Sequence, residues 1–551
     1  MDPSCKRGMK ARPFLAVLLA VGLLALALGG AGWWLVGQRG PLALQHRAAS
    51  LPRAARFVPR QAPLSLYLLS DGEEPVAYAR AVAPARNRRQ AAAAIERLRD
   101  GAFAAAGLDY PTELAAWLAP EIGLALFDLP DGDAGAASGS GNWLLALRSR
   151  DADGARQFVQ RFWQTRSLAG TELQISSYRG MGVISGRGAL LGRQPVPLAT
   201  ALIDDDLVLL ASGRGALEQA LDVSQIDALN QAADPQLQRR LEQLGRGVAL
   251  LVARPEALPS WLGGAVLPLP GEGLVAALRP QGRELVLDGW LDSSPAPAPA
   301  LAPTQNPART PLAGADGQAL LAALQGEAAQ LALLQDPALW PEAWQPLLQA
   351  LLGPQAGPDA TPLPPLLLGL AQGPVLWRQD GGGWLLGSRP EQPAADLLAE
   401  RLQAQGLAMS PLELDDQSVQ VWTRLQAASG AQRRRAGTGE QLAVTLAAAR
   451  AEQGGWAWWS DSLEALAEQQ HGRQQPPALV QRLGTLALPE AALQWAASGE
   501  PAQNLLRRWS GWRLLAAMAG QDFSEPVGAV ALAVQPDGEG MRWRARIAYD
   551  S

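Results

Sequence analysis

The chain has 551 residues with 47 Lys/Arg and 52 Asp/Glu, and its formal charge of −5 is unevenly spread: residues 61–551 hold 38 basic and 51 acidic side chains, or −13. A body that acidic repels phosphate backbones, so nucleic acid is excluded as the expected partner. Cys5 is the only cysteine and Lys6 and Lys10 the only lysines, which removes P-loop and Schiff-base lysines, thiol nucleophiles, disulfides and thiolate metal sites from everything beyond residue 10.

Residues 1–13 form a short basic tail, and Phe14 to Val36 is one apolar run. As a helix it would reach about 35 Å, enough to cross a hydrocarbon core of about 30 Å. A transmembrane helix over 14–36 is therefore expected, with the lipid bilayer as its partner. The competing reading is a cleaved signal peptide, since Ala25-Leu26-Ala27 has a small-x-small pattern. The anchor is favoured because apolar character continues past Ala27 and Trp33 and Trp34 sit where an interfacial belt would lie. Basic residues flank both sides of the run. The expected topology is a cytoplasmic tail with the bulk of the chain periplasmic or in a lumen. Residues 37–56, with His46, read as a basic juxtamembrane tether.

Residues 57–292 and 313–551 read as two duplicated modules. In the first, EIGLALF (121–127), a loop and NWLLALRSR (142–150) are followed by a helix with Ala155, Phe158, Val159, Phe162 and Trp163 on one face. In the second, GPVLW (373–377), a Gly-rich loop and WLLGSR (384–389) precede a helix with Ala394, Leu397, Leu398 and Leu402. Hairpins then recur at 172–185 and 199–212 opposite 412–425 and 442–460, followed by short helices at 215–221 and 462–468. Pro235 to Leu241 matches Pro477 to Leu483 at an offset of 242, and 275–292 matches 530–550 with Pro280/Gly282 opposite Pro536/Gly538 in a hairpin turn. Between the copies, residues 293–312 form a proline-rich linker. The expected fold class is α+β: an N-terminal transmembrane helix, then two duplicated modules of antiparallel hairpins with packed helices.

No catalytic, cofactor-binding or metal-ligating residue is assigned. Asp204-Asp205-Asp206 could suggest a cation site, but adjacent carboxylates cannot all face one ion, and a polar hairpin turn is expected. Asp131-Gly-Asp133-Ala-Gly135 lacks the later ligands of a calcium loop. His471 has no G-x-S-x-G elbow or Asp-Thr-Gly to accompany it. Trp163, Trp261, Trp290, Trp422 and Trp495 read as core, whereas among Trp456, Trp458 and Trp459 at least one is expected at a module or partner interface. Arg433-Arg434-Arg435 reads as a solvated loop, with anionic lipid as the alternative.

Phe57-Val58-Pro59-Arg60-Gln61-Ala62-Pro63, GLDYPTELAAWLAPEIGLAL (107–126) and FWQ with AGTEL and SYRG (162–180) resemble the cyanobacterial, membrane-anchored domain-of-unknown-function family numbered three-three-five-two. The resemblance implies an envelope or thylakoid setting and supplies no activity or catalytic residue. The expected function is a non-enzymatic binding or scaffolding module for a protein, glycan or lipid partner. Two alternatives stay open: a hydrolase of envelope polysaccharide using carboxylates alone, marked by two acids about 5 to 10 Å apart in a cleft, and a carrier of a hydrophobic ligand, marked by an enclosed apolar cavity.

Overall fold

The computed structural model describes residues 40–128, 142–168, 172–188, 196–254, 257, 273–292, 315–335, 337, 351–352, 367–368, 372–381, 383–392, 395–404, 406–414, 417–427, 442–471, 477–488, 490–537 and 540–549. The apolar run at 14–36, Asp131, Asp133, Trp261, the proline-rich segment at 293–312 and Arg433 to Arg435 lie outside them.

Twenty strands are present among the described residues. The first half contributes β1 (Leu64–Leu68), β2 (Leu118–Leu126), β3 (Trp143–Ser149), β4 (Gln174–Tyr178), β5 (Met181–Gly188), β6 (Val196–Ile203), β7 (Leu207–Ala211), β8 (Ala249–Ala253), β9 (Gly273–Gln281) and β10 (Glu284–Asp292). The second contributes β11 (Gln330–Leu334), β12 (Val375–Asp380), β13 (Gly383–Ser388), β14 (Ala408–Leu414), β15 (Gln417–Ala427), β16 (Leu442–Gln453), β17 (Trp456–Ser460), β18 (Leu493–Ser498), β19 (Val527–Asp537) and β20 (Gly540–Tyr549).

Every pairing is antiparallel. The first half runs β4-β5-β6-β7-β3-β2-β1-β8-β9-β10. The second runs β14-β15-β16-β17-β13-β12-β11-β18-β19-β20, the same order strand for strand. The two sets meet where β10 pairs with β20 over nine residues, from Glu284 opposite Ala548 to Asp292 opposite Gly540. β4 and β14 are the outer edges.

This corrects the expected fold class: the strands form one continuous antiparallel sheet in place of two separate α+β modules. Among the described residues, which do not include 14–36, no helix is long and apolar enough to cross a membrane. The physical reason for the continuity is edge pairing. β10 and β20 each end a hairpin and would each present a row of unpaired N–H and C=O groups, which the other strand satisfies.

Helices cover both faces. In the first half, Arg214–Ser224 and Pro235–Leu244 pack on one face with Tyr67, Leu144 and Leu209, and Ala152–Leu168 packs on the other through Phe158, Phe162 and Trp163. In the second half, Ala315–Ala323, Leu463–His471 and Ala478–Gly484 cover one face. Ala395–Ala404 and Glu500–Arg508 cover the other. That last core also takes in Leu64, Ala253, Leu274 and Leu291 of the first half, so burial of apolar area holds the halves together as well as hydrogen bonding does. A helix pair adds a third contact, because Arg88–Ala105 packs on Ser510–Ala519. The two backbones approach so closely that a Cβ on Gly101 would lie 1.8 Å from the Met518 carbonyl oxygen.

Candidate functional site

The junction of the halves has one apolar and one charged face, because side chains alternate along a strand. On the apolar face Leu285 lies opposite Ile547, Leu287 opposite Ala545 and Leu291 opposite Met541. On the other face Val286 lies opposite Arg546, Asp288 opposite Arg544 and Trp290 opposite Arg542. β9 adds Arg279 beside Val286. Two helices flank this strip: Pro235–Leu244 lies over β9 and β10, and Ala478–Gly484 over β18 and β19. Asp234 caps the first by accepting from the N–H groups of Gln236 and Leu237, with Pro235 at its first turn, so the helix start is fixed by sequence.

Each helix sends one arginine down to β10. Arg240 Nη2 lies 2.7 Å from Asp292 Oδ1, with side chains only 4% and 8% exposed, and its guanidinium sits 4.4 Å from the centre of the Trp290 ring. Arg482 Nη1 donates to Glu284 Oε1 at 2.5 Å, and Arg546 Nη1 to Glu284 Oε2 at 3.0 Å. At the middle of the strip Asp288 accepts from Arg544 and lies 3.5 Å from Arg279 Nε, while Arg544 Nη1 also donates to the Leu486 carbonyl at 2.9 Å. Arg542 stacks over Trp290 at 5.7 Å with no carboxylate partner among the described residues. Six arginines therefore face three carboxylates, a basic strip on an acidic chain. At one end a cleft of about 350 Å³ opens between Gln281, Arg283, Glu284, Arg482, Ala548 and Tyr549. Burial pushes the Tyr549 phenol above its ordinary pKa.

The carboxylates of the strip are not spaced as a glycosidase pair. Glu284 and Asp288 are four residues apart on one strand, about 13 Å, which is beyond the separation of a glycosidase pair, and each is already held by guanidinium groups.

Apart from Trp290, which lies in the strip, the residues singled out in the sequence lie elsewhere. Asp204 and Asp206 both hold Arg53, and Asp205 takes Arg156 at 2.7 Å, so the triplet is a turn between β6 and β7 that clamps two arginines. The hydrogen bond from Arg156 lowers the Asp205 carboxyl below its ordinary pKa. His471 ends its helix, exposed, with Nδ1 3.3 Å from the Ala467 carbonyl. Trp163, Trp290, Trp422 and Trp495 are buried. Trp458 and Trp459 are buried core, with Trp459 5.0 Å from Trp422, and Trp456 packs against the same half. Among the described residues no group of three His, Cys, Asp or Glu is placed to hold a metal.

A second charged cluster was also missed. Arg378, 1% exposed, reaches Asp380 and Glu468 at 2.9 Å each and the Gln325 carbonyl at 2.7 Å, tying β12 to the helix Leu463–His471. Nearby Asp461 accepts from the Trp384 N–H at 2.9 Å, and burial raises its pKa, with Asp380 adding to the rise. The junction did leave a signal in the sequence: Glu284, Asp288 and Asp292 recur every four residues, and Arg542, Arg544 and Arg546 every two.

These features define a class: an all-antiparallel sheet protein whose halves share one strand order and meet at a charged strand pair. The chain belongs to the family described as protein of unknown function DUF3352, whose model matches residues 17–537. No curated protein matches it. Among solved structures it is similar to TP0453, in crystal form III at 12% identity and a TM-score of 0.27, covering 45% of this chain and 83% of that one. Crystal form I gives 12% identity and a TM-score of 0.26 over 45% and 82%. Similarity at that level carries no argument about this chain.

Proposed function

We propose that this is a non-enzymatic binding or scaffolding protein, held at an envelope or thylakoid membrane through the apolar run at 14–36 and presenting its sheet to a partner. The observation that carries the reading is the outer edge of the second half. There Leu425 and Val444 are directly opposed on β15 and β16 and are 65% and 66% exposed, and Met409 on the edge strand β14 is 59% exposed. The opposed pair Leu425 and Val444 forms an exposed apolar patch on one face of the sheet near its edge, a surface suited to a partner, while Met409, opposite Trp422, projects from the other face.

The test is complementation of a deletion strain at matched protein levels. The double substitution Leu425→Asn with Val444→Asn is expected to keep the melting temperature within a few degrees and to lose complementation. Removing residues 1–36 is expected to lose it by mislocalisation. Asp461→Asn is expected to retain it. Loss of complementation by that acid substitution in a folded, membrane-bound protein would replace the binding role with carboxylate catalysis.

A further inference from the structure

We infer that the open end of the junction strip, between Arg283 and Arg482, is a binding site for a phosphate-type oxyanion. The inference extends the binding role by naming a ligand class, and it stands on a part of the molecule separate from the Leu425–Val444 edge. Glu284 is the one carboxylate lining the described cleft, and it is shared by Arg482 and Arg546. Arg283, exposed in the turn between β9 and β10, has no partner for its guanidinium among the described residues, while its carbonyl accepts from the Tyr549 N–H at 3.1 Å, which fixes the turn against β20. Arg283 and Arg482 thus share the lining of the cleft with Glu284, which Arg546 also holds from outside that lining, and about 350 Å³ leaves room for a phosphate group.

Arginine suits this role because its planar fork offers five N–H donors, and Arg482 commits only Nη1 to Glu284. A phosphate brings more than one negative charge and several acceptor oxygens, so it can bridge Arg283 and Arg482 without displacing Glu284 from Arg546. A singly charged carboxylate would offset less of the local excess. The ligand could be a soluble phosphate compound or the headgroup of an anionic phospholipid, because both present the same oxygens.

The full chain in a neutral detergent is titrated by calorimetry with inorganic phosphate and, separately, with a monodisperse short-chain phosphatidic acid. Saturable binding of at least one probe is expected. Arg283→Ala is expected to weaken it about tenfold, the size of one charge-assisted hydrogen bond. Glu284→Gln, which removes the internal competitor, is expected to tighten it, a direction that a purely structural role would not give. Asp550→Asn, next to Tyr549 in sequence, is expected to bind no more weakly than the unaltered chain. Tighter binding of the lipid probe assigns the site to a headgroup, and equal or tighter binding of phosphate assigns it to a soluble anion. If neither probe binds saturably, or if Arg283→Ala binds as well as the unaltered chain, the inference is overturned. Because Arg283 is an exposed turn residue, that variant decides the matter even if Glu284→Gln fails to fold.

Discussion

Tyr67 illustrates how single side chains fix the first half. Its hydroxyl, with the ring fully buried, donates to Gln231 Oε1 at 2.7 Å, and Gln231 Nε2 donates to Ser65 Oγ at 3.1 Å. Burial pushes the phenol above its ordinary pKa. The sign follows from linkage: an acid whose folded pKa is raised contributes stability that is complete below the unfolded value, about 10, and is lost as pH rises through the folded value. Tyr67→Phe should cost about 1–3 kcal/mol, because it leaves the buried Gln231 oxygen without its donor. It should also flatten the alkaline fall in stability. Urea unfolding over a pH series checks both, and an unchanged alkaline slope would contradict the assignment. The Asp204 to Asp206 turn was legible in the sequence because hairpin chemistry is local. The arginines it clamps, Arg53 and Arg156, were not, because they come from other elements.

At the scale of elements, the β10–β20 pair depends on shape as well as charge. Gly289 lies opposite Trp543, and a Cβ there would sit 2.4 Å from the indole ring. Gly289→Ala must therefore displace a rigid aromatic on the apolar face of the junction, at a cost of about 1–3 kcal/mol. Gly182→Ala, where nothing lies within 4 Å of the added carbon, serves as the control. Thermal melts should show a lower transition for the first substitution and little change for the second. Equal effects would mean that the junction tolerates crowding. The alternation in ELVLDGWLD (284–292) and MRWRARIAY (541–549) marks two strands, but alternation reports which face a residue occupies and not which strand lies alongside. Pairing between residues 256 apart, such as Asp288 and Arg544, is set by long-range register, so the charged strip could not be read from either segment alone.

For the whole molecule, a proline-rich segment between two similar stretches suggested independent units. A linker reports chain flexibility and says nothing of how the parts on either side associate. Here the association uses three contacts: the β10–β20 ladder, the shared core containing Leu64, Leu274 and Leu291, and the packing of Arg88–Ala105 on Ser510–Ala519. The ion pair of Asp288 with Arg544 lies among largely buried groups, 7% and 13% exposed, so separation would strand charges as well as expose an edge. The most direct measurement places a specific protease site between residues 293 and 311, cleaves the folded protein completely, and examines it by native size-exclusion chromatography and by melting. The continuous sheet predicts that both fragments co-elute and unfold in one transition. Fragments that separate and melt independently at the original temperatures would contradict it.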